Sequence, residues 1–371
     1  MTARPDVFRC IVHLDLDYFF AQCEEVRNPT LKGKPLMVCV FSGRTEDSGV
    51  VSTANYEARN FGVTSGVPIR TAKRYLAEVP GCTFLPMDRD LYVGTSEKVM
   101  AIARDFGEPF EQTGLDECYF EITDRVGKDY EGSEVLAGSL KGRVRGEIGL
   151  TLSLGIAPNK LLAKMVSSIH KPDGLKILKS EEIPGFLSPL PIGKLPGVGK
   201  KMDQQMDGLG INSIGDLREM KHQDLVPIFG NHLAEYFYNA SRGMDSDPVK
   251  ERGKAGQIGR IVTLKEDSND MAYLQESLER VSGDVHMQCE KRGITFRTVT
   301  VTLITAGMET HSRSRTLGAR STSREEILDT GLDLTQSFLR ENPETMLRRI
   351  GIRLSGFDED DNQISLTQFM D

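Results

Sequence analysis

Nowhere in this 371-residue chain does an apolar run approach the roughly 18–20 residues that a bilayer-spanning helix needs, so no membrane partner is expected. The first residues, Met1-Thr2-Ala3-Arg4-Pro5-Asp6, lack the apolar centre of a secretory leader. The six cysteines (10, 23, 39, 82, 118 and 289) form no CxxC pair. They exclude a zinc ribbon or a disulfide framework and read as reduced, buried side chains of a cytoplasmic protein. Internal repeats and low-complexity tracts are missing too. Positive charge is short: 46 Lys and Arg against 54 Asp and Glu leave a net −8, which argues against a nucleic-acid partner. Its distribution argues the other way. Asp358, Glu359, Asp360, Asp361 and Asp371 crowd the tail, whereas from Arg297 to Arg320 Glu309 is the only acid among Arg297, Arg313, Arg315 and Arg320.

What is present is an ordinary globular composition, 39% hydrophobic and 27% charged, with length for more than one domain. Residues 9–16 read as a strand and 18–26 as a short helix, stopped by Asn28-Pro29. Residues 36–41 are continuously apolar, the mark of a strand covered on both faces. Residues 50–56 read as extended, 57–61 and 93–104 as helical, and 115–122 as a strand. Residues 151–156 alternate like a half-buried strand. Pro158 opens a helix with Leu161, Leu162, Met165, Val166 and Ile169 on one face. The first 178 residues thus form an α+β unit. Over 180–244 strands vanish and Pro184, Pro189, Pro191 and Pro196 punctuate short helices. Gly243–Gly256 is a polar linker. Beyond it, strands 258–264, 296–304, 311–317 and 348–357 alternate with helices 270–290 and 323–341, the β-α-β-β-α-β order of a split βαβ sandwich.

Carboxylates interrupt two β-prone apolar runs, Asp15 in the first and Asp116-Glu117 in the second, where a buried charge is costly unless paired or metal-bound. Joining a nucleotide to a 3′ hydroxyl calls for two divalent ions about 4 Å apart, and Mg²⁺ takes hard oxygen ligands. Asp15, Asp116 and Glu117 with the Leu16 carbonyl supply such a set, although each acid alone reads equally well as a cap. Asp17, just ahead of a helix, reads as an N-cap. Tyr56 and Arg59, at i and i+3, can face one anion, for which the Arg fork is suited; Lys171 adds a compact cation. Singly, such cations are ordinary solvated side chains. Leu195-Pro196-Gly197-Val198-Gly199-Lys200, followed by Leu209-Gly210-Ile211, has the hairpin of a helix-hairpin-helix. Gly197 and Gly199 let backbone N–H groups reach DNA phosphates without reading bases, with Lys200 and Lys201 beside them, although Gly-x-Gly alone fits a plain αα turn.

Five segments then stand in a telling order: His13-Leu14-Asp15-Leu16-Asp17-Tyr18-Phe19-Phe20-Ala21-Gln22, Thr53-Ala54-Asn55-Tyr56-Glu57-Ala58-Arg59, Leu115-Asp116-Glu117, Lys171-Pro172-Asp173-Gly174 and Leu195-Pro196-Gly197-Val198-Gly199. In these the chain resembles the Y-family translesion DNA polymerases over nearly its whole length, most of all the DNA polymerase IV branch and its archaeal members. The resemblance implies a right-hand fold: a palm with a ferredoxin-like core (1–18 and 85–178), fingers (19–84), a helical thumb (179–244), a linker (245–256) and a little finger (257–357), then an acidic tail (358–371). It implies that Asp15 and Asp116 bridge two Mg²⁺ ions and that Glu117 completes the catalytic one. Tyr56, Arg59 and Lys171 match triphosphate-binding positions, with Phe19 and Thr53 on the same path. Phe20 matches the steric gate against a ribose 2′-OH, and Val40, Val50, Ser52 and Gly66 match an open roof over the nascent pair. Two departures stand out: Gly114 where the family has Ser, and Glu121 where Asp is common.

The tail, Gln363-Ile364-Ser365-Leu366-Thr367-Gln368-Phe369-Met370, resembles a sliding-clamp-binding box. Gln363, Leu366 and Phe369 fall on one side of a 3₁₀ turn, with Met370 in place of a second aromatic; a terminus without a partner is the alternative. The expectation is a monomeric, low-fidelity polymerase lacking proofreading that takes primer-template DNA and dNTP, with Arg313 and Arg315 also touching DNA. A non-catalytic DNA- and clamp-binding adaptor keeping the same fold is the other reading, and three converging acids argue against it.

Overall fold

The computed structural model describes residues 8–127, 130–251, 253 and 256–357. The sliding-clamp box, with Gln363, Leu366, Phe369 and Met370, lies outside them. The chain forms two compact units, one of residues up to Cys39, Val51–Val67 and Arg74 to the linker, the other of Val40–Val50, Pro68–Lys73 and the chain from Gly253 on. In chain order the elements before the linker are β1 (Ile11–Leu16), α1 (Phe19–Arg27), β2 (Leu36–Phe41), β3 (Gly49–Ala54), α2 (Tyr56–Arg59), α3 (Ile69–Tyr75), β4 (Thr83–Pro86), α4 (Arg89–Arg104), β5 (Phe110–Gln112), β6 (Glu117–Glu121), α5 (Ser133–Ile148), β7 (Leu152–Ala157), α6 (Lys160–Ile169), β8 (Leu175–Ile177), α7 (Ile183–Leu187), α8 (Lys200–Asp207), α9 (Ile214–Glu219) and α10 (His222–Ala240).

The central sheet of the first unit has the order β5-β6-β1-β7-β8. Along β1, Val12, Leu14 and Leu16 enter one core with Val99, Met100 and Ala103 of α4 and Leu140 and Val144 of α5. Ile11 enters another, with Leu162, Met165 and Val166 of α6. Strand alternation therefore puts Ile11, His13 and Asp15 together on the α6 side. β7 is buried along its whole length, where alternation predicts half-burial, because helices cover both faces. Its α6 side carries small residues. A Cβ on Gly155 would sit 2.0 Å from the Ala163 carbonyl oxygen and 2.6 Å from the Ser167 nitrogen, so the helix lies this close only over glycine. α6 starts at Lys160, capped by Asn159, whose side chain accepts from the Leu162 N–H at 3.0 Å; Pro158 lies ahead of the cap, and Ile169 is exposed. A smaller sheet, β3-β2-β4, buries Leu36, Met37, Val38 and Cys39 almost completely, but Val40 and Phe41 at the end of the same apolar run are exposed, so only the first four residues are covered on both faces.

Asp17 does not cap α1. The cap position belongs to Tyr18, in a left-handed conformation (φ 30°, ψ 46°) with no capping side chain. The buried Asp17 carboxylate turns instead to β7, accepting from Thr151 Oγ1, Ser153 Oγ and the Asp173 N–H, each at 2.8 Å. Three donors satisfy the charge where it is buried.

Residues 183–240 hold four α-helices, α7–α10, and one 3₁₀ turn (Ile192–Lys194), and α10 is interrupted at Gly230. The polar stretch after them is strapped down. Asp245 Oδ2 accepts from the Leu161 N–H at the start of α6 (3.0 Å), Asp247 meets Lys160 at 2.8 Å, and Lys160 also meets Glu111 at 2.8 Å.

The second unit adds β9 (Gln257–Ser268), α11 (Met271–Arg292), β10 (Phe296–Thr305), β11 (Thr310–Ser321), α12 (Arg324–Glu341) and β12 (Leu347–Ser355). The strands form an antiparallel sheet of order β11-β10-β12-β9, so both βαβ units are split by an inserted strand. Val299, Val301, Leu303, Ile350, Ile352 and Leu354 pack with Leu278, Val281, Ile327 and Phe338 of the helices. Arg44 and Arg348 share Asp267 at 2.9 and 2.7 Å. No helix among the described residues is long and apolar enough to cross a membrane.

Candidate active site

β1 and β6 run antiparallel with Asp15 opposite Glu117 and His13 opposite Tyr119. Direct partners share a face, so the first and third acids lie side by side on the α6 side of the sheet. Asp116 precedes β6, and its carbonyl accepts from the Leu16 N–H at 2.8 Å. Burial first, then the charges of Asp15 and Glu117, push the Asp116 carboxyl above the usual range. Glu117 is driven well below it, foremost by its contact with His13 and then by Lys164. Lys164 Nζ lies 2.5 Å from Glu117 Oε2 and His13 Nε2 3.4 Å from the same oxygen. Lys171, expected at the triphosphate, contacts Asp15 Oδ1.

The donor set suits a divalent cation. Burial, and after it the charges of Asp15 and Glu117, disfavours ionisation of Asp116, and a +2 charge bound by these hard oxygen ligands would offset both. As placed, Asp15 and Glu117 are turned to lysines, and among the described residues no three His, Cys, Asp or Glu side chains are arranged as a ready-made metal cage. The anions are there; their cations in this structure are Lys171 and Lys164.

Beside the residues expected to bind triphosphate, Asn55 uses its whole hydrogen-bonding capacity. Oδ1 accepts from the Leu36 and Ala58 N–H groups (3.0 and 3.1 Å), and Nδ2 donates to Glu25 Oε1 and the Lys34 carbonyl (2.9 and 2.8 Å). This fixes the single turn α2. Arg59 lies over the Tyr56 ring at 4.7 Å and donates Nε to the Ala54 carbonyl at 2.9 Å. Burial, followed by the charge of Asp17 and, less strongly, that of Asp15, raises the Tyr56 phenol, with Arg59 opposing. Tyr18 meets Tyr56 edge-on at 5.3 Å. Its positive φ, strained for a bulky residue, lets the chain turn from β1 into α1. Phe20 stacks on Tyr92 at 4.4 Å, and Phe19 is buried beneath it, 5.4 Å away. Thr53 lies in β3. Val40 and Val50 are exposed, and a Cβ on Gly66 would meet open space.

The two departures differ in weight. A Cβ on Gly114 would come within 3.1 Å of Asp116 Oδ1 and 3.2 Å of Glu117 Cγ, so glycine leaves both acids room that serine would press upon. Glu121 pairs with Arg9 at 2.9 Å at the far end of β6 and accepts from Thr123.

At the hairpin, Gly197 has φ +86° and lies against Tyr236, whose hydroxyl donates to the Pro196 carbonyl at 2.5 Å. Gly199 caps α8 and Lys200 is its first residue. Arg313 and Arg315 are on β11 opposite Val301 and Val299, hence on the helix-covered side. They pair with Glu341 (2.9 Å) and Asp333 of α12. The other face carries Ser312, Ser314 and Thr316 opposite Thr302, Thr300 and Thr298, then Gly351, Arg353 and Ser355, then Ile261, Gly259 and Gln257. These rows contain no acid. Strand parity, applied to 296–355, could have separated the two faces. The buried His13, the left-handed Tyr18, and Lys164 and Ser167 carried no sequence signal of their own.

The described "impB/mucB/samB family" matches residues 14–168, its C-terminal domain 255–366, and "DNA polymerase-iota, thumb domain" 193–245. DNA polymerase IV of Nitrosopumilus maritimus is 40% identical over 97% of this chain and 99% of its own. That of Saccharolobus solfataricus is 36% identical over the same shares. Among solved structures, a Y-family polymerase chimera of Dbh and Dpo4 superposes with a TM-score of 0.88 at 31% identity, over 95% of this chain and all of the other. The insertion ternary complex of Dbh DNA polymerase gives 0.67 at 31%, with the same coverage. Acids side by side on two antiparallel strands of a central sheet, a helical hairpin unit and a split βαβ sheet are the parts of a right-hand polymerase. The chain belongs to the Y-family DNA polymerases, in their DNA polymerase IV branch, and is a DNA-directed DNA polymerase.

Proposed function

We propose that this polymerase adds deoxynucleotides to a primer 3′ end by two-metal nucleotidyl transfer, across damaged template and without proofreading. The observation that carries this is the antiparallel pairing of Asp15 with Glu117, with Asp116 crowded beside them. Asp15, Asp116 and Glu117 with the Leu16 carbonyl would hold two Mg²⁺ ions, which would supply charge neutralisation and activation of the 3′ hydroxyl. The residues do the rest. Arg59, braced on Tyr56, and Lys171 bind the triphosphate; Phe20 fills the space of a 2′ hydroxyl; and Gly197, Gly199 and Lys200 hold DNA phosphates.

Palm, fingers, thumb, linker and little finger follow as 1–18 with 85–178, 19–84, 179–244, 245–256 and 257–357, in a cytoplasmic monomer. The acid-free sheet face with Arg353 grips the duplex in place of Arg313 and Arg315. The test is primer extension with Mg²⁺ and dNTPs: Asp116→Ala should lose at least about a thousandfold in rate, on the order of 4 kcal/mol, with primer-template affinity retained. Near-normal extension would overturn its role. The tail docks on a sliding clamp through Gln363, Leu366 and Phe369; Phe369→Ala should abolish clamp stimulation alone, and equal stimulation of both proteins would remove that assignment.

A further inference from the structure

Behind Glu117 stands a buried pair that metal and nucleotide binding leave unused. His13 is completely buried, its ring 4.6 Å from that of Tyr119. Its Nδ1 lies 2.7 Å from Ser167 Oγ; its Nε2, a buried polar atom with no hydrogen bond completed as the side chains stand, is 3.4 Å from Glu117 Oε2. Burial disfavours the charged imidazolium of His13, and in the neutral ring one nitrogen carries hydrogen while the other accepts. Facing an anion, the nitrogen that carries it must be Nε2, because a bare lone pair there would oppose the carboxylate. That tautomer needs a donor at Nδ1, and the Ser167 hydroxyl is in place. The Lys164 carbonyl, 2.9 Å from the same hydroxyl, is its competing acceptor. The architecture serves the contact: Gly155, directly across from His13, admits α6 at the distance that brings Ser167 to the ring.

We propose that Ser167 sets the His13 tautomer and that His13, through Nε2–H, is a positioning residue that holds the Glu117 carboxylate for its cation. This rests on the metal-binding role proposed for Glu117. Outer hydrogen bonds of this kind orient ligands, and losing one costs about tenfold or more in metal affinity.

Two measurements on the full-length protein decide it. The ¹⁵N shifts of His13 at neutral pH should report the Nε2–H form in the wild type and a change in Ser167→Ala; an Nδ1–H wild type would overturn the proposal. Mn²⁺ binding to the enzyme–primer-template complex, followed by electron paramagnetic resonance, should weaken about tenfold in Ser167→Ala, with DNA affinity and melting temperature nearly unchanged. In a His13→Gln background, where the amide supplies an N–H without tautomers, Ser167→Ala should add nothing. Wild-type Mn²⁺ affinity in Ser167→Ala, or full additivity with His13→Gln, would sink it. If His13→Gln does not fold, Ser167→Ala alone decides. Mn²⁺ binding that Asp116→Ala leaves untouched would count against the carboxylate site itself, and the ¹⁵N shifts would still judge the pair.

Discussion

Phe20 is half-buried and stacked face to face on Tyr92, whose hydroxyl donates to Glu24 at 2.7 Å. The gate proposed for Phe20 must be rigid as well as large, and the stack with its tethered partner would supply that rigidity. Phe20→Ala should therefore raise ribonucleotide insertion relative to deoxynucleotide on the order of tenfold to a hundredfold, as expected when a pocket loses the bulk that rejects one group. Primer extension with matched rNTP and dNTP series measures it, and an unchanged ratio would remove Phe20 from the role. Asp15, Asp116 and Glu117 were legible in the sequence because charge within apolar β runs is conspicuous. Asp17 was misread for the opposite reason. An acid ahead of a helix has the local pattern of a cap, but its donors come from residues 151, 153 and 173, a distance in sequence that no local pattern reports.

At the scale of elements, the polar stretch after α10 shows how a linker read from composition becomes a strap. Asp245 caps α6 from outside and Asp247 neutralises Lys160, contacts invisible until the segments meet in space. The Lys160 hydrogen bond holds the Asp247 carboxyl below the usual carboxylate range. A carboxyl depressed in the folded state stabilises fully above its unfolded value, about pH 3.9, and loses that contribution as pH falls through its lower folded value. The carboxylate is mostly exposed, so Asp247→Asn should cost less than about 1 kcal/mol globally while raising amide exchange over residues 244–251 at neutral pH. Exchange there as slow as in the wild type would show that the strap does not depend on this pair. Most helices and strands sit within a few residues of their periodic patterns. The departures, such as β7 buried on both faces and Ile169 left exposed, come from which helices cover a sheet, a property of packing that one strand's pattern does not contain.

For the molecule as a whole, net charge and binding surface part company. The −8 total coexists with sheet rows free of acid, where Arg353 stands among Ser, Thr and Gly residues. Arg313 and Arg315, conspicuous in sequence, face α12 and spend their charge on Glu341 and Asp333. These pairs compete with the DNA contact expected of both arginines, whereas the residues opposite Arg353, Thr300 and Gly259, carry no charge. Binding to DNA phosphates releases counterions, so affinity falls with salt at about 0.9 per neutralised phosphate on logarithmic axes. Arg353→Gln should therefore weaken primer-template binding and lower that slope by about one. Arg315→Gln should leave the slope unchanged and cost at most about 1 kcal/mol of stability through the lost exposed pair. Fluorescence anisotropy over a salt series distinguishes them: a reduced slope in Arg315→Gln with none in Arg353→Gln would place the DNA on the helix side of the sheet and overturn the assignment of the open face.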